Sequence, residues 1–199
     1  MNILVIVAHP DESSFNHAIA AQACKSLEDN GHTPIFHDLY KEGFDPMLPA
    51  EEIARDAALP AEIQQHCNKT ATADGIIVIH PNWWGMPPAV LTGWVDRVLR
   101  PGVTYEFVEG DSGEGVPVGL LKADKALVFN TSNTVKEREE TVFGDPLERI
   151  WKDCIFNLCG VKMTHRSMFG VVITSTLEER TKWLAEVNEK VDEFYPADA

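Results

Sequence analysis

Continuous apolar runs along the chain alternate with segments in which apolar residues recur every three or four positions. Ile3–Ala8 and Gly75–His80 are apolar almost throughout, which is typical of strands buried on both faces of a parallel sheet. Three further strands are predicted at Thr33–Leu39, Ala126–Thr131 and Val161–Val172. The pattern therefore predicts five strands.

Helical periodicity fills most of the intervals between these strands. One helix is predicted over Phe15–Leu27, and Asn30-Gly31 supplies its stop signal. Others are predicted over Leu91–Leu99, Leu147–Leu158 and Leu184–Phe194. Strands that alternate with helices favour an α/β fold, a doubly wound five-stranded parallel sheet with right-handed crossovers and helices on both faces.

The remaining segments are predicted to be irregular over most of their length. The stretch between Pro46 and Pro60 carries short helical pieces, Pro101–Lys122 is a long glycine-rich loop, and Ser132–Gly144 is a polar loop. No internal repeat or linker divides the sequence. We therefore expect a single domain over residues 1–199.

The charge of the chain narrows the class of partner. Hydrophobic residues make up 44% of the sequence, and 31 Asp and Glu oppose 17 Lys and Arg, which gives a formal net charge of −14. An acidic surface repels phosphate backbones and anionic lipids, so nucleic acid is not an expected partner and neither is a membrane surface.

The N-terminus has no signal-peptide pattern, and the apolar run there is far shorter than a membrane span. Four scattered cysteines do not form a disulfide framework, and we expect them to be buried free thiols in a reducing compartment. They are Cys24, Cys67, Cys154 and Cys159. The sequence therefore predicts a cytoplasmic protein without stable membrane insertion.

In doubly wound sheets, ligands bind beyond the carboxyl ends of the strands, where the strand order reverses. The segment after the first strand contains Ser13, Ser14 and Asn16 but no glycine, so it is not a glycine-rich nucleotide loop. Its hydroxyl and amide donors stand beside a helix N-terminus, which favours an anion. The alternative is that Ser13 or Ser14 is only a helix cap.

The segments after the third and fourth strands supply the rest of a candidate site. Trp83 and Trp84 lie in a proline-rich loop where an indole could stack on a planar ligand, although a tryptophan is more often a core residue. Thr131–Thr134 offers small polar groups for the edge of a heterocycle. His80 and His165 each stand at a predicted strand end, and we interpret both as structural histidines.

These motifs resemble the flavodoxin-like NAD(P)H:quinone oxidoreductases, the DT-diaphorase family. The resemblance rests on Ser13-Ser14-Phe15-Asn16 and on the block from Pro81 to Val98, which contains Trp84-Gly85, Pro87-Pro88-Ala89, Gly93-Trp94 and Asp96-Arg97-Val98. Gly102-Val103-Thr104-Tyr105 and Cys159-Gly160 are also similar, and the matches follow the same order over nearly the whole chain.

The resemblance implies a non-covalently bound flavin, FAD with FMN as the alternative, and NAD(P)H as co-substrate. It places His9, Ser14, Phe15 and Asn16 at the phosphate end of the flavin. Along the isoalloxazine it places Pro81, Asn82, Trp83, Trp84 and Gly85, and at the polar edge Thr131, Ser132 and Asn133.

The implied reaction is ping-pong hydride transfer to a quinone or a similar planar acceptor. The residues expected at the reacting ring are Trp84, Tyr105, Thr131 and Asn133, with Tyr105 entering from across a homodimer interface. We expect helix faces around Trp94 and Trp151 to contribute to that interface.

Two features depart from the family pattern. Eukaryotic members carry T-T-G-G where this chain has Thr131–Thr134, and the tyrosine and histidine that follow in those members have no counterpart in Val135–Gly144. Phe143 stands where the histidine is expected. In those members the tyrosine and histidine help to stabilise the reduced flavin. Here Lys136, Arg138 or backbone donors are the candidates to compensate the negative charge of the reduced flavin instead.

Two other functions remain as alternatives. Ala8–Glu12 resembles the A-H-P-D-[DE] segment of zinc-dependent N-deacetylases, but no pair of histidines has the H-x-x-H spacing of that family. We therefore predict no metal site. The other alternative is a redox-sensing regulatory subunit of a membrane channel or transporter that retains the enzyme fold.

Overall fold

The structure is a computed structural model in which residues 1–108 and 115–197 are described. Its strands are β1 (Asn2–Val7), β2 (Thr33–Asp38), β3 (Gly75–Pro81), β4 (Tyr105–Glu106), β5 (Val118–Gly119), β6 (Lys125–Ser132) and β7 (Met163–Gly170). The α-helices are α1 (Phe15–Asp29), α2 (Ala61–Thr72), α3 (Ala89–Val98), α4 (Lys136–Thr141), α5 (Pro146–Arg149) and α6 (Leu177–Phe194). Short 3₁₀ turns occur at Ala50–Glu52 and Val172–Thr174.

Five parallel strands form the central sheet in the order β2-β1-β3-β6-β7. The predicted fold class is confirmed. The chain moves outward from β1 to β2 and then returns to β3 on the other side of β1, so the strand order reverses between β1 and β3. This reversal opens a crevice at the carboxyl end of the sheet, where ligands bind in such folds.

Both faces of the sheet are covered because alternate side chains point to opposite sides. Leu4 and Ile6 of β1 pack on one face in a cluster that includes Leu91 and Trp151. Ile3 and Val5 pack on the other face against residues of α1 and α6. Burial on both sides explains why β1 and β3 are apolar almost without interruption.

Several predicted boundaries change in the structure. The second strand ends at Asp38, the fourth extends over Lys125–Ser132, and the fifth covers only Met163–Gly170. The segment between Pro60 and β3 contains a full twelve-residue helix, α2, that was not predicted. The predicted polar loop after β6 contains α4, whose residues Lys136–Thr141 are charged except at the end.

The long glycine-rich loop contains a small antiparallel hairpin of β4 and β5, in which Tyr105 pairs with Gly119. Residues 109–114 of that predicted loop lie outside the described residues. A Cβ on Gly119 would meet the backbone of Cys159 and Gly160 at 2.2–2.4 Å. Glycine at 119 therefore allows the hairpin to pack against the turn before β7.

The predicted helix over Leu147–Leu158 begins as α5 and continues as a π-helix over Ile150–Phe156. Its Trp151 is only 1% exposed, and Trp94 of α3 is only 2% exposed. The two indoles are therefore used in the protomer's own core, and the expectation that helix faces around Trp94 and Trp151 contribute to a dimer interface stays a prediction. Cys154 is exposed, also against expectation, whereas Cys67 and Cys159 are buried and all four thiols are free.

Candidate functional site

The segments that follow β1, β3 and β6 meet in one cleft of about 280 Å³ at the carboxyl edge of the sheet. This first cleft is lined by His9, Ser14, Phe15, Asn16, Pro81, Asn82, Trp83, Thr131, Ser132, Asn133, Val172 and Ile173. All predicted flavin-binding residues except Trp84 and Gly85 are thus brought together. No Asp or Glu lines this cleft in the part of the chain that is described, although the sequence is strongly acidic.

The N-terminus of α1 forms one end of the first cleft. Ser14 is the N-cap, and its hydroxyl accepts a hydrogen bond from the His17 amide at 3.4 Å. The cap and the site are therefore compatible roles for Ser14. Within the described residues, the amides of Phe15 and Asn16 have no acceptor, as expected for the first turn of a helix. These N–H groups and the helix dipole favour an anion here.

The preceding loop is held in place by its own side chains. The Asp11 amide donates to His9 Nδ1 at 3.1 Å, and Asp11 Oδ1 accepts from the Ser13 amide at 2.8 Å and from its hydroxyl at 2.7 Å. These bonds from Ser13 lower the pKa of Asp11, and burial lowers the pKa of His9. Ser13 does not line the cleft, so it is not one of the donors that were predicted for the ligand.

The tryptophan-bearing loop is a tight two-residue turn. Trp83 and Met86 exchange backbone hydrogen bonds of 3.1 and 3.0 Å, and Trp84 and Gly85 between them have φ values of 60° and 75°. Two successive positive φ angles define a type I′ turn. The Asn82 carbonyl oxygen Oδ1 also accepts from the Gly85 amide at 2.9 Å. A left-handed conformation is unfavourable for tryptophan, and such strain is often retained at functional positions.

The turn directs the two tryptophans to different places. Trp83 is 40% exposed and lines the first cleft, whereas Trp84 is 95% exposed. A second cleft of about 590 Å³ adjoins the first at Asn82, which belongs to both. The second cleft is lined by Asn82, Trp84, Gly85, Thr134, Glu139, Phe143 and Pro146. The expectation that at least one of the paired tryptophans faces the site agrees with this geometry.

The end of β6 connects the other two loops. The Asn82 amide donates to the Thr131 carbonyl at 2.6 Å, and the Asn16 side chain bonds the Thr131 hydroxyl at 3.0 Å. Ser132 Oγ accepts from the Thr134 amide at 3.0 Å, and Asn133 Oδ1 accepts from the Ile173 amide at 3.0 Å. Several side chains predicted as ligand donors are therefore partly used to join the loops.

Val172 and Ile173 were missed as lining residues. They follow β7, which pairs with β6 and lies away from the reversal of strand order. They could have been predicted from the strand order. All strands of a parallel sheet end at the same edge, so the segment after the fifth strand also reaches the cleft edge.

A buried hydrogen-bond network centred on His80 lies next to Pro81, which lines the first cleft. His80 is fully buried, its Nδ1–H donates to the Pro81 carbonyl at 2.8 Å, and its Nε2 accepts from the Trp151 indole at 2.8 Å. Burial lowers the pKa of His80 to about 4, so the ring is neutral and both nitrogens are used. This agrees with the interpretation of His80 as structural. His165 bonds Ser167 and lines neither cleft.

Tyr105 lies on β4 and lines neither cleft of its own chain. Its ring packs edge-on against Phe107, and burial raises the pKa of its hydroxyl. The role predicted for Tyr105 requires a second subunit and stays a prediction.

Three potential metal ligands, His37, Glu42 and His66, come together at the outer strand β2. Lys69 Nζ bonds His37 Nε2 at 3.2 Å, and the Trp94 indole donates to His66 Nδ1 at 3.3 Å. Because Lys69 and Trp94 are donors, His37 Nε2 and His66 Nδ1 act as acceptors, and the N–H of each ring is on the nitrogen that faces Glu42. A metal would need those nitrogens unprotonated, so the arrangement fits a hydrogen-bonded cluster better than a metal centre.

Comparisons with known proteins agree with the observed fold. The flavodoxin-like fold family matches residues 1–193. A Haemophilus influenzae protein described as an uncharacterized NAD(P)H oxidoreductase is 37% identical over 175 residues, which is 85% of this chain and 84% of that protein. A ribosyldihydronicotinamide dehydrogenase [quinone] of Rattus norvegicus is 30% identical and covers 92% of this chain and 87% of its own.

Among solved structures, an NAD(P)H:quinone oxidoreductase from Methanothermobacter marburgensis is similar with a TM-score of 0.82 and 25% identity. The match covers 96% of this chain and 95% of that chain. In the part of the chain that is described, no helix has the length and apolar character needed to cross a membrane. The chain belongs to the flavodoxin-like fold family and, within it, to the NAD(P)H:quinone oxidoreductases, so it is an oxidoreductase of this type.

Proposed function

We propose that the protein is a flavin-dependent NAD(P)H oxidoreductase that reduces quinones or similar planar acceptors. The observation that carries this proposal is the single cleft in which the loops after β1, β3 and β6 meet. Flavin, when bound there, would take a hydride from NAD(P)H and pass it to an acceptor that occupies the same place in a ping-pong order. FAD is the proposed form, and FMN is the alternative.

The phosphate end of the flavin is assigned to the N-terminus of α1. The amides of Phe15 and Asn16 have no acceptor among the described residues, and Ser14 and His9 stand beside them. Free N–H groups at a helix N-terminus bind phosphate through hydrogen bonds and the helix dipole. The absence of carboxylates from the described lining supports the same assignment, because the net charge of −14 would otherwise repel an anion.

The ring end is assigned to the tryptophan turn and to Thr131–Asn133. Pro81 and Trp83 give an apolar wall of the first cleft, and the strained turn holds Trp84 in the adjoining second cleft. Within the described residues, the backbone amides of Trp84 and Asn133 have no acceptor. Donors that are fixed before binding stabilise negative charge without a cost of reorganisation. The donor set and the apolar wall therefore fit a flavin ring.

A homodimer is part of the proposal. Trp84, Met86 and Phe143 are 95%, 54% and 49% exposed, and Trp84 and Phe143 line the second cleft. A neighbouring subunit would cover such an apolar surface and exclude water from the reacting ring. Tyr105 of the partner would then form a wall of the substrate site. A cytoplasmic location is proposed with it, and four free thiols suit a reducing compartment.

Steady-state kinetics with NADH or NADPH and a simple benzoquinone test the shared site. The proposal expects parallel lines in double-reciprocal plots, because the first product leaves before the quinone binds. Intersecting lines would mean that both substrates are bound at once and would contradict the proposal. Sedimentation in the same buffer tests the dimer, and full activity of a monomer would contradict that part.

A further inference from the structure

Glu139 is a buried carboxylate at the wall of the second cleft. It belongs to α4, is only 2% exposed and lines this cleft together with Trp84 and Phe143. Its Oε1 accepts a hydrogen bond from Asn82 Nδ2 at 2.9 Å. Its second oxygen, Oε2, has no hydrogen-bond or ion-pair partner among residues 1–108 and 115–197.

Glu139 Oε2 is not among the fully buried polar atoms without a partner in the described residues, so this oxygen is accessible although the residue as a whole is buried. The second cleft is the space from which a ligand can reach it, and a carboxylate oxygen open to a cleft is a hydrogen-bond acceptor. A ligand group that donates a hydrogen bond is therefore expected there. Trp84 also lines this cleft, and its backbone amide has no acceptor among the described residues, so the amide is free to bind a ligand carbonyl.

We propose that Glu139 accepts a hydrogen bond from the imide N–H of the flavin ring and is a cofactor-binding residue. This inference rests on the proposed function. The oxidised ring system has one N–H, and a carbonyl flanks it on each side. An acceptor at Glu139 and a donor at Trp84 match this alternation of donor and acceptor groups. The two clefts adjoin at Asn82, so a ring held at Pro81–Gly85 extends toward Glu139.

Glu139 also supports the turn that carries Trp84. It holds the Asn82 amide nitrogen, while the oxygen of the same amide accepts from Gly85 N at 2.9 Å. A test variant must therefore keep the hydrogen bond between the side chains of residue 139 and Asn82. Glu139→Gln does so, because the glutamine oxygen can still accept from Asn82, while its NH₂ group replaces the free acceptor. Glu140→Gln is the matched control, since Glu140 is an exposed neighbour on α4 that only approaches Lys136 at 3.8 Å.

The experiment measures dissociation constants of the full-length apoprotein for FAD and FMN and for the same flavins methylated at the imide nitrogen. Methylation removes the proposed donor and leaves the rest of the ring unchanged. For the wild type and Glu140→Gln, we expect the methylated flavin to bind at least about 10-fold more weakly. For Glu139→Gln, we expect weaker binding of the unmodified flavin and a ratio of the two constants near one.

If the ratio of the dissociation constants for methylated and unmodified flavin were the same in Glu139→Gln as in the wild type, methylation would act by steric exclusion. That result would overturn the role of Glu139. Equal binding of unmodified flavin to the wild type and Glu139→Gln would also overturn it. In both cases the proposed function would survive, because flavin still binds. Failure of the wild type to bind any flavin would instead reject the proposed function and this inference with it.

Discussion

Asn16 and Thr131 lie 115 positions apart and exchange two hydrogen bonds at the floor of the first cleft. Asn16 Nδ2 donates to Thr131 Oγ1 at 3.0 Å, and the Thr131 hydroxyl donates to Asn16 Oδ1 at 3.3 Å. The pair joins the first turn of α1 to the end of β6. Both side chains are buried. They therefore fix the distance between α1, which is the proposed binding site of the flavin phosphate, and the end of β6, which is the proposed binding site of the flavin ring edge.

Thr131→Val keeps the shape of the side chain but leaves the buried Asn16 amide without its partner. We expect the free energy of unfolding to fall by about 1–3 kcal/mol and the flavin to bind more weakly, as measured by urea unfolding and flavin titration. Thr72→Val is the control, because Thr72 is exposed on α2 and its hydroxyl bonds only the carbonyl of Asn68. Loss of stability without any change in flavin affinity would contradict a role for this pair in the site.

Trp84→Ala tests the exposed side of the site. Since the indole is 95% exposed, we expect little change in the free energy of unfolding but weaker retention of flavin and lower turnover. His165→Ala is expected to leave both retention and turnover nearly unchanged, because His165 lines neither cleft. Equal effects of the two substitutions on flavin release would argue against contact between Trp84 and the ring.

His80 makes the stability of the fold depend on pH. An ordinary histidine takes up a proton near pH 6.5, but burial lowers the pKa of His80 to about 4 in the folded protein. Between these values the unfolded chain binds the proton and the folded chain does not, so stability falls as the pH decreases from 6.5 toward 4. The contribution of His80 is up to about 1.4 kcal/mol per pH unit.

His80→Gln removes this titration, while the glutamine oxygen can still accept from the Trp151 indole. We expect the free energy of unfolding of this variant to decline less steeply with falling pH than that of the wild type. Urea unfolding of both proteins at several pH values measures the difference. Identical slopes would show that His80 is not held neutral by its surroundings.

Arg97, part of the block that carries the family resemblance, has a structural role in this protein. It is 3% exposed, and its guanidinium binds both oxygens of the buried Glu52, at 2.5 and 3.0 Å. Glu52→Ala leaves this buried cation with the exposed Asp45 carboxylate, at 4.0 Å, as its remaining ion-pair partner in the described residues, and we expect it to lower the free energy of unfolding by about 3–5 kcal/mol. Glu51→Ala, an exposed neighbour, should change it little, and a similar loss in both variants would contradict this account.

The sheet could be predicted because its strands are buried on both faces. β1 and β3 need apolar residues at every position, and this makes their signal strong. Two helices, α2 and α4, could not be predicted because polar residues interrupt their apolar pattern. The buried stripe of α2 includes His66 and Thr70 beside Ile63 and Cys67, and α4 is short and charged. Neither has the apolar face on which helix prediction depends.

The candidate site was predictable where its residues follow strands directly. The segment lining the first cleft from Pro81 to Trp83 continues β3, so the strand prediction already placed it at the sheet edge. Glu139 could not be found in this way. Its burial depends on how α4 packs beside Asn82, which lies 57 positions earlier, and in the sequence it is one of several acidic residues in Lys136–Thr141.

The cofactor content of the purified protein tests the central claim most directly. The protein should be yellow, and denaturation should release about one flavin per chain, with mass spectrometry of the released compound deciding between FAD and FMN. If flavin is lost during purification, titration of the apoprotein with either compound should show saturable binding that Thr131→Val weakens. A colourless protein that binds neither FAD nor FMN would contradict the account.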